Sequence, residues 1–167
     1  VHVNMPLHTE ISIIGDFIKL YHIENPGMAF GINFDFKYTK LILSLFRLFA
    51  SFLIGFYLLK LLDKKTSPLL LICISLILSG AIGNVIDSVF YGYLFTESYF
   101  QIAEFSPGNG YEGIFYGNVV DMFQFPLFSW IWPDWFPFVG GKEFTFFEPV
   151  FNIADSVITI GITMMII

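Results

Sequence analysis

Long uninterrupted runs of apolar residues along the chain predict membrane-spanning helices. The runs Leu41–Leu62 and Leu69–Tyr91 each supply the roughly 20 apolar residues that a helix needs to cross the hydrocarbon core of a bilayer. A third apolar run, Val150–Ile167, extends to the last residue of the chain. We therefore expect three transmembrane helices, at residues 41–62, 69–91 and 150–167.

The segment that precedes the first apolar run has a different pattern. Short β-branched and aromatic runs at Ile11–Ile14 and Phe17–Ile23 are separated and followed by turn residues such as Gly15 and Pro26. Runs of this length between turn residues are typical of strands. We expect residues 1–38 to form a small sheet outside the membrane.

The distribution of lysine predicts which ends of the helices face the cytoplasm. Lys60, Lys64 and Lys65 lie at the short connection between the first two runs, and cytoplasmic loops carry an excess of basic residues. The segment 92–149 is then external, and it contains seven acidic residues, one basic residue (Lys142) and several tryptophans, which suit a membrane interface. The glycines of this external segment are candidate hinges of a lid: Gly108, Gly110, Gly113 and Gly117.

Composition supports a membrane-embedded protein and excludes several other classes. Of the 167 residues, 56% are hydrophobic and 13% charged, with a mean hydropathy of +0.72, whereas soluble domains carry about 25% charged residues. A single cysteine, Cys73, excludes a disulfide scaffold, and the net charge of −6 argues against a nucleic-acid partner. Because the chain begins at Val1 and ends within an apolar run, we expect it to be part of a longer membrane protein.

Three carboxylates are expected at one depth, at the outer interface of the membrane. Asp87 lies near the end of the second run, Asp155 in the first turns of the third, and Asp121 in the external loop before an apolar turn. A charge within a membrane costs about 2.5–3.5 kcal/mol on insertion scales, so each one requires an explanation. Two close carboxylates can share a proton, so that one acts as an acid and the other as a base, as in aspartic peptidases. The plainer interpretation is helix-end residues that face headgroups and water.

An asparagine precedes two of these aspartates by three positions. Asn84 precedes Asp87, and Asn152 precedes Asp155. Residues i and i+3 share one face of a helix, so each amide can donate a hydrogen bond near its aspartate. Such a bond orients a carboxylate without adding charge.

Other candidate chemistry is weaker. His2, His8 and His22 lack the spacing of zinc ligands, and we expect them at surface or sheet positions. Ser88 and Ser156 each follow an aspartate, but no histidine lies in an expected span, so a serine triad is not indicated. We expect no metal and no cofactor.

Four blocks of sequence resemble the lipoprotein signal peptidase family, also called signal peptidase II, and they follow the order of that family. They are ENPGMAFG (Glu24–Gly31), GAIGNVIDS (Gly80–Ser88), GNVVDMF (Gly117–Phe123) and FNIADS (Phe151–Ser156). The long insertion between Asp87 and Asp121, with the aromatic stretch that follows, resembles versions of the family from the Bacteroidetes.

The resemblance implies a mainly α membrane protein of one domain. The family fold is a four-helix transmembrane bundle with a small periplasmic β-cradle and an outer loop; three spans would be present here, with the cradle at 1–38 and the loop at 92–149. The first family helix, with an Asp and a Lys, would be missing, so we expect the isolated chain to be inactive.

The resemblance also implies the reaction and its setting. The family is an intramembrane aspartyl endopeptidase of the bacterial inner membrane, multi-pass, with its active site facing the periplasm. It removes signal peptides from diacylglyceryl-modified prolipoproteins, cleaving before the lipidated cysteine. The implied partners are these substrates and membrane lipids, and we expect a monomer.

The family's site residues transfer to matching positions of this chain. The resemblance implies Asp121 and Asp155 as the catalytic pair. Many members have an arginine directly after the aspartate that matches Asp87, where this chain has Ser88, and Arg47 is a candidate replacement. The remaining matches are polar positions that support the site or contact substrate: Asn25, Asn84, Asp87 and Asn152.

Two functions of other classes remain open. A small membrane transporter or channel component would use Asp87 and Asp155 as a cation or proton path. It would require polar residues in the inner halves of the spans, where the sequence offers Ser75 and Thr163 but no carboxylate. A catalytically inactive relative would only bind lipidated peptides. A presenilin-type protease is disfavoured because its two aspartates lie deep in neighbouring spans.

Overall fold

The computed structural model describes residues 1–27, 38–64 and 66–167 as three helices and five strands. The elements are β1 (Glu10–Ile14), β2 (Ile18–Asn25), α1 (Thr39–Leu62), α2 (Pro68–Leu94), β3 (Val119–Gln124), β4 (Phe128–Ile131), β5 (Glu143–Phe146) and α3 (Ile153–Ile166). The end of the ENPGMAFG block, the last residues of the expected cradle and Lys65 lie outside the described residues.

Two of the three expected spans are long and apolar enough to cross a membrane. α1 has 24 residues and α2 has 27, and α2 begins with Pro68 in its first turn, where proline's fixed φ suits a helix start. Large apolar side chains such as Phe46 and Phe52 on α1 remain exposed. An apolar helix surface of this kind is stable in lipid and unfavourable in water.

α3 is shorter than the span expected from the sequence. It has 14 residues, which gives a length of about 21 Å against about 30 Å of hydrocarbon. It begins at Ile153 because the Asn152 side chain caps its first turn. α3 packs closely against α2 at Gly80, where an added Cβ would collide with the carbonyl oxygen of Ala154. Small residues allow such close contact between membrane helices.

The strands form a three-stranded and a two-stranded antiparallel sheet. β2 lies between β1 and β3, and Ile23 pairs with Asp121 in the β2–β3 register. The expected N-terminal sheet is therefore present but is completed by a strand from the external segment. Asp121 lies on β3 and not in a loop as expected, because VVDMFQ finds its partner strand far away in sequence.

The second sheet is an aromatic hairpin formed by β4 and β5. The chain segments that enter and leave this hairpin lie side by side. Phe128 stacks on Trp130 and on Phe146. Phe123 and Phe151, on either side of the hairpin, exchange backbone hydrogen bonds of 2.8 and 3.0 Å. This bridge holds β3 next to the start of α3.

The segment between α2 and β3 packs against the last turns of α2. The Gly117 amide donates to the Ser88 carbonyl at 3.0 Å, and the Glu112 amide donates to the Gly92 carbonyl at 2.8 Å. An added Cβ at Gly110 would collide with the carbonyl oxygen of Gly92. Gly110 and Gly117, expected as hinges, thus serve close backbone packing in this structure.

Candidate active site

Two aspartates and two asparagines from three elements form one hydrogen-bond network. The Asn152 Nδ2 group donates to Asp121 Oδ1 at 2.9 Å and to Asn84 Oδ1 at 3.1 Å. Asn84 Nδ2 in turn donates to Asp155 Oδ1 at 2.9 Å. Two neutral amides therefore connect the carboxylates of Asp121 and Asp155.

The start of α3 fixes the position of Asp155. Asn152 is the N-cap residue, and its Oδ1 accepts a hydrogen bond from the Asp155 amide at 2.9 Å. Asp155 Oδ2 accepts from the Asn152 amide at 3.4 Å, which completes a reciprocal capping box. A carboxylate in the first turn also interacts favourably with the positive end of the helix dipole. Helix initiation and placement of Asp155 thus depend on the same pair of residues.

β3 places Asp121 in a buried position beside this helix end. The residue is 5% exposed, and Asn25 Nδ2 on β2 donates to Asp121 Oδ2 at 3.3 Å. Burial, followed by the negative charge of Asp155, raises the pKa of Asp121 to about 6, while hydrogen bonds from Asn25 and Asn152 act in the opposite direction. A carboxyl group with this pKa can hold a proton close to neutral pH.

Asp87 lies beside the network and holds the strand that carries Asp121. Its Oδ2 accepts a hydrogen bond from the Val120 amide at 3.2 Å, and the Tyr91 hydroxyl donates to the same carboxylate. Val120 directly precedes Asp121 in β3. Asp87 therefore fastens β3 to α2, which is a supporting role.

A cation from α1 contacts Ser88, the residue that directly follows Asp87. Arg47 Nη1 donates to Ser88 Oγ at 2.7 Å, and Ser88 Oγ donates to the Asn84 carbonyl at 2.8 Å. The Arg47 charge acts electrostatically on Asp155, Asp121 and Asp87. The sequence suggested Arg47 as a cationic partner of Asp87; its charge does act on Asp87, and its hydrogen bond goes to Ser88.

A cavity of about 540 Å³ lies next to the network, between α2 and the start of α3. Asp121 and Asp155 are each one hydrogen bond away from an asparagine in its wall. Clefts of this size are typical of small-molecule and peptide sites. Its lining includes Gly80, Gly83, Asn84, Asp87, Asn152 and Ala154.

The structure brings all six predicted site residues together: Asn25, Asn84, Asp87, Asp121, Asn152 and Asp155. Sequence spacing suggested that each asparagine serves the aspartate three positions later, and Asn152 does so. Asn84 instead reaches Asp155 on the neighbouring helix. The Tyr91 contact was missed, although its position one helical turn after Asp87 could have indicated it.

Comparison of the sequence with known proteins gives one consistent result. Residues 1–167 match the sequence model of a family described as signal peptidase (SPase) II. A lipoprotein signal peptidase of Porphyromonas gingivalis is 49% identical over 157 residues, covering 93% of this chain and 68% of that protein. One from Amoebophilus asiaticus is 39% identical over 170 residues, covering 100% of this chain and 68% of that protein. The chain thus spans about two thirds of these relatives.

Two solved structures of bacterial membrane enzymes, obtained in meso at 2.3 and 1.9 Å resolution, have a similar fold. Each has a TM-score of 0.60 and 24% sequence identity to this chain. They cover 97% and 99% of this chain and are covered over 71% and 77% of their own lengths. The chain therefore belongs to the signal peptidase II family of aspartic peptidases, which are membrane enzymes that hydrolyse peptide bonds.

Proposed function

We propose that this chain is the catalytic part of an intramembrane aspartyl endopeptidase that releases signal peptides from diacylglyceryl-modified prolipoproteins, cleaving before the lipidated cysteine. Membership of the signal peptidase II family supports signal-peptide removal as the reaction. The observation that most supports the aspartyl mechanism is the network that joins Asp121 to Asp155 through two amides.

In the proposed mechanism the two aspartates act as an acid–base pair on one water molecule. One carboxylate takes a proton from the water, which attacks the scissile carbonyl carbon while the other carboxyl group protonates the carbonyl oxygen. The first group, now protonated, then protonates the leaving amine, and the second recovers its proton from the hydroxyl of the tetrahedral intermediate. The raised pKa of Asp121 suits a group that holds the shared proton. The acid and base roles belong to the pair, since coupled carboxylates titrate together.

The asparagines contribute orientation in this mechanism. Asn152 and Asn84 each donate a hydrogen bond of 2.9 Å to the Oδ1 atom of one aspartate. Among the residues that the structure describes, the Oδ2 atoms accept longer bonds of 3.3 and 3.4 Å, and each has lone-pair capacity left for the reacting groups. Preorganised donors of this kind lower the reorganisation needed in the transition state.

The proposed setting is the bacterial inner membrane. α1, α2 and α3 would be helices of a four-helix bundle. The strands β1–β3 would form a periplasmic cradle. The 95–118 segment and the β4–β5 hairpin would form an external cover within the same domain. Exposed apolar faces of α1 and α2 support contact with lipid, in which the acyl chains of a substrate would also lie. Binding of those acyl chains would hold the scissile bond near the aspartates. We expect the protein to act as a monomer.

Cleavage by the full-length protein in detergent tests this function. A diacylglyceryl-modified prolipoprotein should be shortened by the wild-type protein, while Asp121→Asn and Asp155→Asn should each lower the rate at least about 1,000-fold, because neither amide can transfer the proton. Cleavage is followed by the gel shift of the product.

Two controls make the result specific. Asp16→Asn replaces an exposed carboxylate in the β1–β2 turn and should leave the rate unchanged. An unlipidated substrate should not be cleaved. A rate that survives substitution of either Asp121 or Asp155 would remove that residue from the mechanism, and a well-folded wild-type protein without activity would refute the proposed reaction.

A further inference from the structure

A second cluster of chemically active side chains lies outside the aspartate network. His2, His22 and Glu24 each offer one metal-binding atom, and the three atoms lie within 4.8 Å of one another. His2 is 7% exposed and His22 is fully buried, so this is an interior cluster. The sequence indicated surface or sheet positions for these histidines. His22 does lie on β2, but the structure places His2 against it in the interior.

Two of the three separations within the cluster, both measured from His2 Nδ1, fit ligands of one metal ion better than hydrogen bonds. His2 Nδ1 lies 3.4 Å from His22 Nε2 and 3.6 Å from Glu24 Oε1. Good hydrogen bonds between such atoms measure about 2.7–3.2 Å. Two ligand atoms that are each about 2.0–2.1 Å from a tetrahedral Zn²⁺ ion lie about 3.3–3.5 Å apart.

Neighbouring groups fix His22 in the form that a metal ligand requires. His22 Nδ1 lies 2.8 Å from the Met5 carbonyl oxygen, which can only accept, so Nδ1 carries the proton. The lone pair is then on Nε2, the atom that faces His2. A hydrogen bond from the second ring nitrogen to a carbonyl is the usual support of a metal-binding histidine.

Glu24 is held in the same way. Its Oε2 accepts a hydrogen bond from Asn118 Nδ2 at 2.8 Å, and Ser98 Oγ donates to Oε1. These donors come from the external segment and fix the direction of the carboxylate toward His2. An oriented carboxylate beside two imidazoles is a common donor set for Zn²⁺.

The His2 ring is buried without full compensation by hydrogen bonds. Its Nε2 has no hydrogen-bond partner among the residues that the structure describes. The ring stacks on Tyr91 and contacts the edge of Phe95, so its surroundings on that side are aromatic. Nδ1, the ring atom that faces His22 Nε2 and Glu24 Oε1, is the position at which a bound cation would compensate for burial of the ring.

We propose that His2, His22 and Glu24 bind a divalent transition-metal ion. The ligands, two imidazoles and one carboxylate, indicate Zn²⁺. Imidazole and carboxylate groups suit Zn²⁺ better than Mg²⁺ or Ca²⁺, which prefer oxygen ligands alone. The ion ties the N-terminal residues to β2, and through Asn118 and Ser98 to the external segment. Because His2 also lines the cavity beside Asp87, this metal clamp closes one side of the cavity.

The site is tested with the full-length protein in detergent after removal of metals by a chelator. Titration with Co²⁺ should give one bound ion per chain and the intense visible absorption of four-coordinate Co²⁺, and Zn²⁺ should displace it. His22→Asn and Glu24→Gln should each weaken Zn²⁺ binding by at least about 100-fold, since removing a ligand costs at least as much as removing its support.

The variants are chosen to preserve the fold. The side-chain amide introduced by His22→Asn can still donate to the Met5 carbonyl, and Glu24→Gln keeps groups that pair with Ser98 and Asn118. His8→Gln removes an exposed histidine of the same region and should bind Zn²⁺ as the wild type does.

Thermal unfolding gives a second, independent readout. Zn²⁺ should raise the Tm of the wild type and of His8→Gln but not that of Glu24→Gln, because an ion that binds only the folded state stabilises it. If His22→Asn fails to fold, Glu24→Gln decides the question. Undiminished Zn²⁺ binding in Glu24→Gln, or no stoichiometric binding by the wild type, would overturn the proposal.

Discussion

At the scale of single residues, the side chain of Asn152 makes three hydrogen bonds with different roles. Its oxygen caps α3, and its nitrogen donates both to Asp121 and to Asn84. The sequence alone revealed the spacing to Asp155 but not the bonds to Asp121 and Asn84, because these residues lie 31 and 68 positions away. Long-range contacts of this kind cannot be inferred from local periodicity.

Replacement of Asn152 by two different residues separates its structural task from its proposed catalytic one. Asn152→Ser keeps an N-cap oxygen but is too short to donate to Asp121 or Asn84, so we expect a kcat reduced about 10–100-fold and a smaller loss of Tm than in Asn152→Ala. Asn152→Ala loses both functions and should also lose about 1 kcal/mol of stability. Equal kcat values for the wild type and Asn152→Ser would show that the Asn152–Asp121 bond has no part in catalysis.

At the scale of secondary-structure elements, the residue pattern predicted the long helices and the strands β1 and β2 well, but it predicted β3 and the start of α3 poorly. α1 and α2 begin and end within three residues of the expected bounds, since uninterrupted apolar runs leave few alternatives. The sequence predicts a loop where β3 lies, because a strand of six residues is stabilised mainly by its pairing with β2, which is distant in sequence. The start of α3 was placed three residues early, although Asn152 and Asp155 have the spacing of a capping box.

The close contact between α2 and α3 predicts different effects for two helical glycines. Gly80→Ala would place a methyl group against the Ala154 carbonyl, push the helices apart and strain the Asn84–Asp155 bond. We expect a loss of about 1–3 kcal/mol in stability and a lower kcat. Gly55→Ala is the matched control, because its Cβ would lie 3.8 Å from the nearest Leu78 atom. Its Tm should equal or exceed that of the wild type. A fully stable and active Gly80→Ala protein would contradict the packing described above.

At the scale of the whole molecule, motif order was more informative than any structural pattern. Four blocks distributed along the chain predicted the signal peptidase II family, and this prediction is confirmed. The same blocks could not predict that Arg47 donates to Ser88 or that His2 reaches His22, because both contacts depend on how the elements pack. The high apolar content of the chain predicted membrane helices, and it is also why α1 and α2 leave apolar side chains exposed.

Global stability should depend on the charge of Asp121. Its pKa is raised from 3.8 to about 6, so the folded protein binds this proton more tightly than the unfolded chain does. Asp121 therefore destabilises the fold increasingly as the pH rises from about 4 to about 6. We expect the Tm of Asp121→Asn, relative to the wild type, to increase over this pH interval and to remain constant above it. A Tm difference that does not change with pH would show that Asp121 titrates normally, and Asp16→Asn serves as the reference variant.

The bridge between Phe123 and Phe151 makes the aromatic hairpin a modular part of the chain. The polypeptide leaves the core at Phe123 and returns at Phe151, two residues that are hydrogen-bonded to each other. We therefore expect that the hairpin beyond the end of β3 can change in length or sequence without displacing these ends, as in a closed loop that is grafted onto a scaffold. Changes in the hairpin should then leave the aspartate network beneath it in place. The hairpin between Phe123 and Phe151 is therefore a suitable insertion site for a tag or a reporter domain.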